Sequence, residues 1–121
     1  KELWKTDGTS DGTVCVKEIN PGSDSSTPQT LTAAGGTLFF NADDGTHGGE
    51  LWKSDGTEDG TVLVKDIRSG GAHSQILDMA SIGNLLQIYV KNWELRTRPI
   101  VTSSKKLSKI CTYTVSTTAL C

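Results

Sequence analysis

A chain of 121 residues with a formal net charge of −2 is one domain's worth of polypeptide at most. The charge is divided: residues 1–78 carry 13 acids and 6 bases, and residues 79–121 carry one acid and 6 bases. The front part is therefore too acidic for a nucleic-acid partner, and the bases of the rear part are scattered rather than clustered. No apolar run approaches the ~18 residues of a membrane helix, and three cysteines without a Cys-x-x-Cys pair form no disulfide framework.

The chain opens at Lys1 without an initiator Met or a leader segment and reads as a piece of something longer. Its first phrase, ELWKTDGTSDGTVCVKEI (2–19), returns as ELWKSDGTEDGTVLVKDI (50–67), with 14 of 18 positions identical at an offset of 48. Internal repetition of this kind sets the fold before any local signal does. One complete unit spans residues 27–67. In chain order it offers QTLTA (29–33), ending at Gly35-Gly36; TLFFNA (37–42), closed by Asp43-Asp44-Gly45; GELWKS (49–54), ending at Asp55-Gly56; and TVLVKDI (61–67), between Asp59-Gly60 and RSGGA. Asp-Gly and Gly-Gly between apolar runs mark hairpins, because such turns need positive φ. Each unit is thus expected to be an antiparallel meander of three to four short strands. In TVLVKDI, Val62, Val64 and Asp66 fall on one face, and Leu63, Lys65 and Ile67 on the other. Both faces are apolar near the start, so the strand wants cover on both sides, which stacked meanders supply.

A unit of ~48 residues suits a propeller blade better than a solenoid rung, and two to three units cannot close a ring. The expected fold is all-β: antiparallel meander repeats of about 48 residues, open and propeller-like. Residues 1–26 are the second half of a first repeat, 27–72 a complete repeat, 73–99 the start of a degraded third, and 100–121 an atypical tail. After Gly83, NLLQIYV (84–90) is still strand-like, but residues 84–121 contain no Gly and no Asp. TYTVSTTAL (112–120) is a further strand candidate. The tail reads either as a diverged, capping terminal unit or as the product of a reading frame shifted near Leu86. The abrupt loss of two residue types on which the repeat depends favours the shift. Under that reading the basic charge, Cys111 and Cys121 carry no function; otherwise the two cysteines are a pair available to an oxidising compartment.

Glu2–Thr9 and Glu50–Thr57 resemble the ELWxxDGT repeat, as do the flanking GGTLFFNADDGTHGGELW and GTVLVKDI, over residues 1 to about 83. The resemblance implies a module of large secreted or cell-surface proteins, mostly bacterial and at times labelled hyalin-like, built from propeller-like β domains. It implies an extracellular location, neighbouring repeats as partners, and extracellular matrix or glycan as further ones. No catalytic activity is attached to it.

Four sets of residues are candidates for chemistry. Trp4 and Trp52, one per unit, are either sugar-stacking platforms or large core residues between sheets, and repeated large apolar positions favour core. DGTSDG (7–12) and DGTEDG (55–60) place oxygen side chains at positions one, three and five and Gly at six, as in a calcium loop. The position-twelve carboxylates, Glu18 and Asp66, are carried roughly 20 Å away by an extended strand. That leaves Asp7 with Asp11 and Asp55 with Asp59 as weak calcium candidates, against the plainer reading that each Asp caps its own turn. Asp43-Asp44-Gly45 repeats that choice. His47 has Glu50 nearby but no third ligand, and His73 falls in a variable loop. Cys15 stands where the second copy has Leu63 and is expected to be a small core hydrophobe.

No Gly-x-Ser-x-Gly, His-Glu-x-x-His or phosphate-cradling loop is present, so the chain is not read as an enzyme. The leading expectation is a structural or binding module presenting a β surface for adhesion or assembly, without a cofactor. The alternative is a calcium- or carbohydrate-binding, lectin-like module. The two separate on whether Trp52 is buried between sheets or exposed beside Asp55 and Asp59.

Overall fold

A computed structural model describes residues 1–83, 85–91, 109–114 and 119–120, the last two segments by backbone only. The described residues are all-β, in three antiparallel sheets with no helix. The first sheet pairs β1 (Leu3–Lys5) with β2 (Val14–Lys17). The second is a four-stranded meander, β3 (Gln29–Ala34), β4 (Thr37–Asp43), β5 (Gly49–Ser54) and β6 (Val62–Lys65), in that order. The third runs β7 (Ile76–Ile82), β8 (Leu85–Val90), β9 (Lys109–Thr114) and β10 (Ala119–Leu120).

The strand signals of the middle unit fall where the sequence puts them. Gly35 and Gly36, at φ 57° and 78°, form a two-residue turn that pairs Ala34 with Thr37, a conformation that residues with a Cβ resist. Two readings need correction. Strand β7 is not among the strand signals named above, because ILDMASI lacks clean alternation, although it lies one period after QTLTA and ends at Gly83-Asn84. The face assignment of TVLVKDI also fails at its end. The strand stops at Lys65, and the chain turns so that Ile67 joins Val64 against one core cluster, while Leu63 packs into the other.

The core is two seams between sheets. In one, Leu3, Val16 and Ile19 of the first unit meet Phe40, Ala42 and Trp52 of the second sheet. In the other, Phe39, Leu51, Val64 and Ile67 of the second unit meet Ile76, Met79, Leu86, Ile88 and Val90 of the third sheet. Leu51, Val64 and Ile67 are Leu3, Val16 and Ile19 displaced by 48 residues, so the same three positions present each unit's face to the sheet that follows. The middle sheet is covered on both sides, as its doubly apolar strands require. The suggested Cys111–Cys121 pair and the shifted-frame reading of the tail lie outside the described side chains.

Candidate functional site

The duplicated phrase meets itself at the seam between the first and second sheets, where Leu3, Val16 and Ile19 of one copy lie against Trp52 and Leu63 of the other. Glu2 precedes β1. Its Oε2 accepts from the Ile19 backbone N–H at 2.8 Å and from the Ser26 hydroxyl at 2.7 Å, and its Oε1 accepts from the Ser26 N–H at 3.2 Å. One carboxylate thereby ties the end of its own hairpin to the segment that crosses into the next sheet. Ser26 continues the crossing, with its carbonyl accepting from Asp43 N–H at 2.9 Å. Burial raises the Glu2 pKa, but the donors from Ser26, Ile19 and Asn20 outweigh it and the carboxyl is held below its ordinary value.

Glu50 is the same residue one unit on, with the same 2.8 Å bond from Ile67 N–H. Its surroundings differ. It is fully buried, its Oε1 has no hydrogen-bond partner among the described residues, and the Ser74 hydroxyl donates at 2.8 Å to the Gly49 carbonyl, as the Ser26 hydroxyl does at 3.1 Å to the Lys1 carbonyl. Desolvation dominates and, aided by the charge of Asp66, pushes the Glu50 pKa up to about 7 against the pull of the Ile67 and Arg68 N–H groups and, last, of the Ser74 hydroxyl. The sequence marks Glu50 only by its place in the motif and its nearness to His47. The signal was its identity in both copies at the start of an otherwise apolar strand.

The acidic turns are closed on themselves. Asp55 Oδ1 accepts from Thr57 N–H at 2.9 Å and from the Thr57 hydroxyl at 2.6 Å. Thr57 Oγ1 accepts from Gly60 N–H at 3.0 Å, and Thr61 Oγ1 donates to the Thr57 carbonyl at 2.6 Å. Asp7, Thr9, Gly12 and Thr13 repeat every one of these contacts. The Thr hydroxyl and N–H hold the carboxyls of Asp7 and Asp55 below the ordinary range. Gly8 and Gly56 have the positive φ expected of Asp-Gly. Gly12 and Gly60 do not; they are required because a Cβ at either would collide with the carboxylate of Asp7 or Asp55. Asp11 and Asp59 lie exposed in the same turns, and among the described residues no group of three or more His, Cys, Asp or Glu converges as a metal site.

The seam is fastened at its polar edge by two lysines. Lys5 Nζ donates to the Gly56 carbonyl at 2.7 Å, and Lys17 Nζ to the Thr61 carbonyl at 3.0 Å. The first unit thus grips the turn of the second. A cleft of about 330 Å³ opens along this edge, lined by Leu3, Trp4, Lys5, Val16, Leu38 and Asp55 among others.

No family model, curated protein or solved structure matches the chain.

The two tryptophans have opposite fates. Trp52 pairs with Phe40 and Leu63 across its sheet and is 6% exposed, inside the seam. Trp4 pairs with Cys15 and is 60% exposed. Cys15 is exposed as well, which corrects its expected place in the core: among the described residues no sheet lies against its face of the first sheet, whereas Leu63 has one. His47 pairs with Asp44, Nδ1 to Oδ2 at 2.7 Å, rather than with Glu50. That bond raises the His47 pKa, and Asp44 is lowered chiefly by the His47 backbone N–H and side chain against a burial effect. His73 Nδ1 accepts from Gly49 N–H at 2.7 Å, so the variable loop contributes to closing β5.

Proposed function

We propose that the chain is a stacking β module of a secreted or cell-surface protein, whose duplicated motif joins one sheet to the next for assembly or adhesion. The observation that carries this reading is the burial of Trp52 against Leu3, Val16 and Ile19 of the preceding unit. In the first unit each motif residue has a joining role: Leu, Val and Ile pack, Glu pins the crossing segment, and two lysines grip the next turn, which Asp and Thr shape. Apolar side chains of this size contribute about 1.5–3 kcal/mol each when buried. A lysine–carbonyl bond at the exposed edge contributes roughly 1 kcal/mol. The apolar contact therefore supplies the strength of the joint, and the lysines its orientation. The likeness of the motif to the ELWxxDGT repeat supports the same reading and an extracellular setting, with neighbouring repeats as partners and no catalytic step. A sugar platform at Trp52 would need that ring at a surface, and it lies within the joint.

The test is Leu3→Asp. Loss of the joint should raise solvent exposure of Trp52, read as faster hydrogen exchange of its indole N–H, while the Leu51 seam stays protected. An unchanged Trp52 exchange rate in a folded Leu3→Asp protein would refute stacking as the role of the motif.

A further inference from the structure

We infer that the open face of the first sheet, carrying Trp4 and Cys15, is a docking surface for another unit of the same type, one that presents a Leu–Val–Ile face and two lysines. This rests on the stacking reading and names its partner. The exposed face is the counterpart, 48 residues earlier, of a face whose cover is visible within the chain. Trp52 and Leu63 correspond to Trp4 and Cys15, and the cover over Trp52 is Leu3, Val16 and Ile19.

A second feature points to the same occupant. The turn of the second unit offers the carbonyls of Gly56 and Thr61 to Lys5 and Lys17. The turn of the first unit has the same internal bonds, so it holds the carbonyls of Gly8 and Thr13 in the same way. Among the described residues no lysine reaches them. The hydrophobic face and the polar edge are thus both complementary to one partner, and the acidic turn favours its lysines. A second copy of this chain does not offer that partner ready-made, because Leu3, Val16 and Ile19 are engaged with the second sheet, and Leu51, Val64 and Ile67 with the third.

The periodicity supplies the experiment. A second copy of residues 1–48, with its own Cys15 replaced by Ser, is placed directly before Lys1. This keeps the 48-residue spacing and sets a new Leu–Val–Ile face and two lysines before Trp4. The readout is the rate at which the original Cys15 reacts with N-ethylmaleimide, resolved by peptide mass spectrometry. Docking is expected to slow that reaction roughly 10- to 100-fold, as a covered site reacts only on local opening. The slowing should vanish when the added copy carries Leu3→Asp and Val16→Asp. Unchanged Cys15 reactivity in the extended chain, with the Trp52 indole still protected, overturns the docking inference and leaves stacking intact. Loss of Trp52 protection by Leu3→Asp at the native joint governs the stacking reading separately. Concentration-dependent protection of Cys15 in the unextended chain assigns the face to a second copy and overturns the inference. Protection of Cys15 by chitotriose, abolished by Trp4→Ala, assigns it to a glycan and overturns it likewise.

Discussion

Replacing Glu50 by Gln isolates the effect of burying a charge inside the joint. The Glu50 pKa is pushed from 4.5 to about 7 by desolvation. Between those values the folded protein holds a proton that the unfolded chain has released, so stability falls as pH rises. Below about 4.5 both states are protonated, and above about 7 both are ionised, so the slope is confined to that window. The interval corresponds to about 3 kcal/mol. Gln keeps the acceptor for Ile67 N–H but has no charge to bury. It also places N–H donors where Oε1 lacks a partner, which costs roughly 1–3 kcal/mol at every pH. That constant cost cancels when the difference between the two proteins is followed against pH. The stability of Glu50→Gln relative to the parent should rise by about 3 kcal/mol from pH 4 to pH 8, on the order of 10 °C in melting temperature. His47, raised chiefly by Asp44 and least by Glu50, loses its own contribution as pH rises through its pKa in both proteins, so only its weak coupling to Glu50 enters the difference. Urea titrations at half-unit pH steps would measure the difference. A gap that stays flat, or that runs the other way, would show that Glu50 titrates as an exposed carboxylate and that its burial is misjudged.

Glu2→Gln should behave oppositely. A lowered pKa contributes stability above the unfolded value that is lost on acidification through the folded one, so the parent's advantage over Glu2→Gln should shrink as pH falls below about 4.5. Leu51→Ala removes a fully buried side chain from the second seam and should lower the unfolding free energy by about 2–5 kcal/mol, read by urea denaturation. Gly60→Ala forces the Asp55 carboxylate off Thr57 and should cost roughly 1–2 kcal/mol. In an Asp55→Ala background the same substitution should be close to neutral, and equal costs in both backgrounds would dismiss the carboxylate as the obstacle. Calcium at roughly millimolar levels, the range of a weak site, should leave the melting temperature unchanged, because Asp55 Oδ1 is already committed to Thr57; a clear rise would restore the ion-site reading.

Much of the architecture was legible in the chain because its signals are local and duplicated. An offset of 48 residues, Gly35-Gly36 at a two-residue turn, and apolar positions on both faces of TVLVKDI determine an antiparallel meander that needs cover on each side. The Asp-Gly turns were legible too, down to an Asp that caps its own backbone. The sequence could not say which copy would find cover. Trp4 and Trp52 are identical in their motifs, yet one is open and the other enclosed, because burial depends on what lies across the seam and not on the residue or its neighbours. Cys15 was misplaced for the same reason. Only the tertiary arrangement separates Glu2 from Glu50: the same carboxylate and the same bond from the following Ile, but the donors around Glu2 outweigh its partial burial, while full desolvation and the charge of Asp66 favour a proton on the other. The repeat determines what each unit can present. The stacking of one sheet on the next decides which of those faces become core, which carboxylate loses its water, and which face stays open.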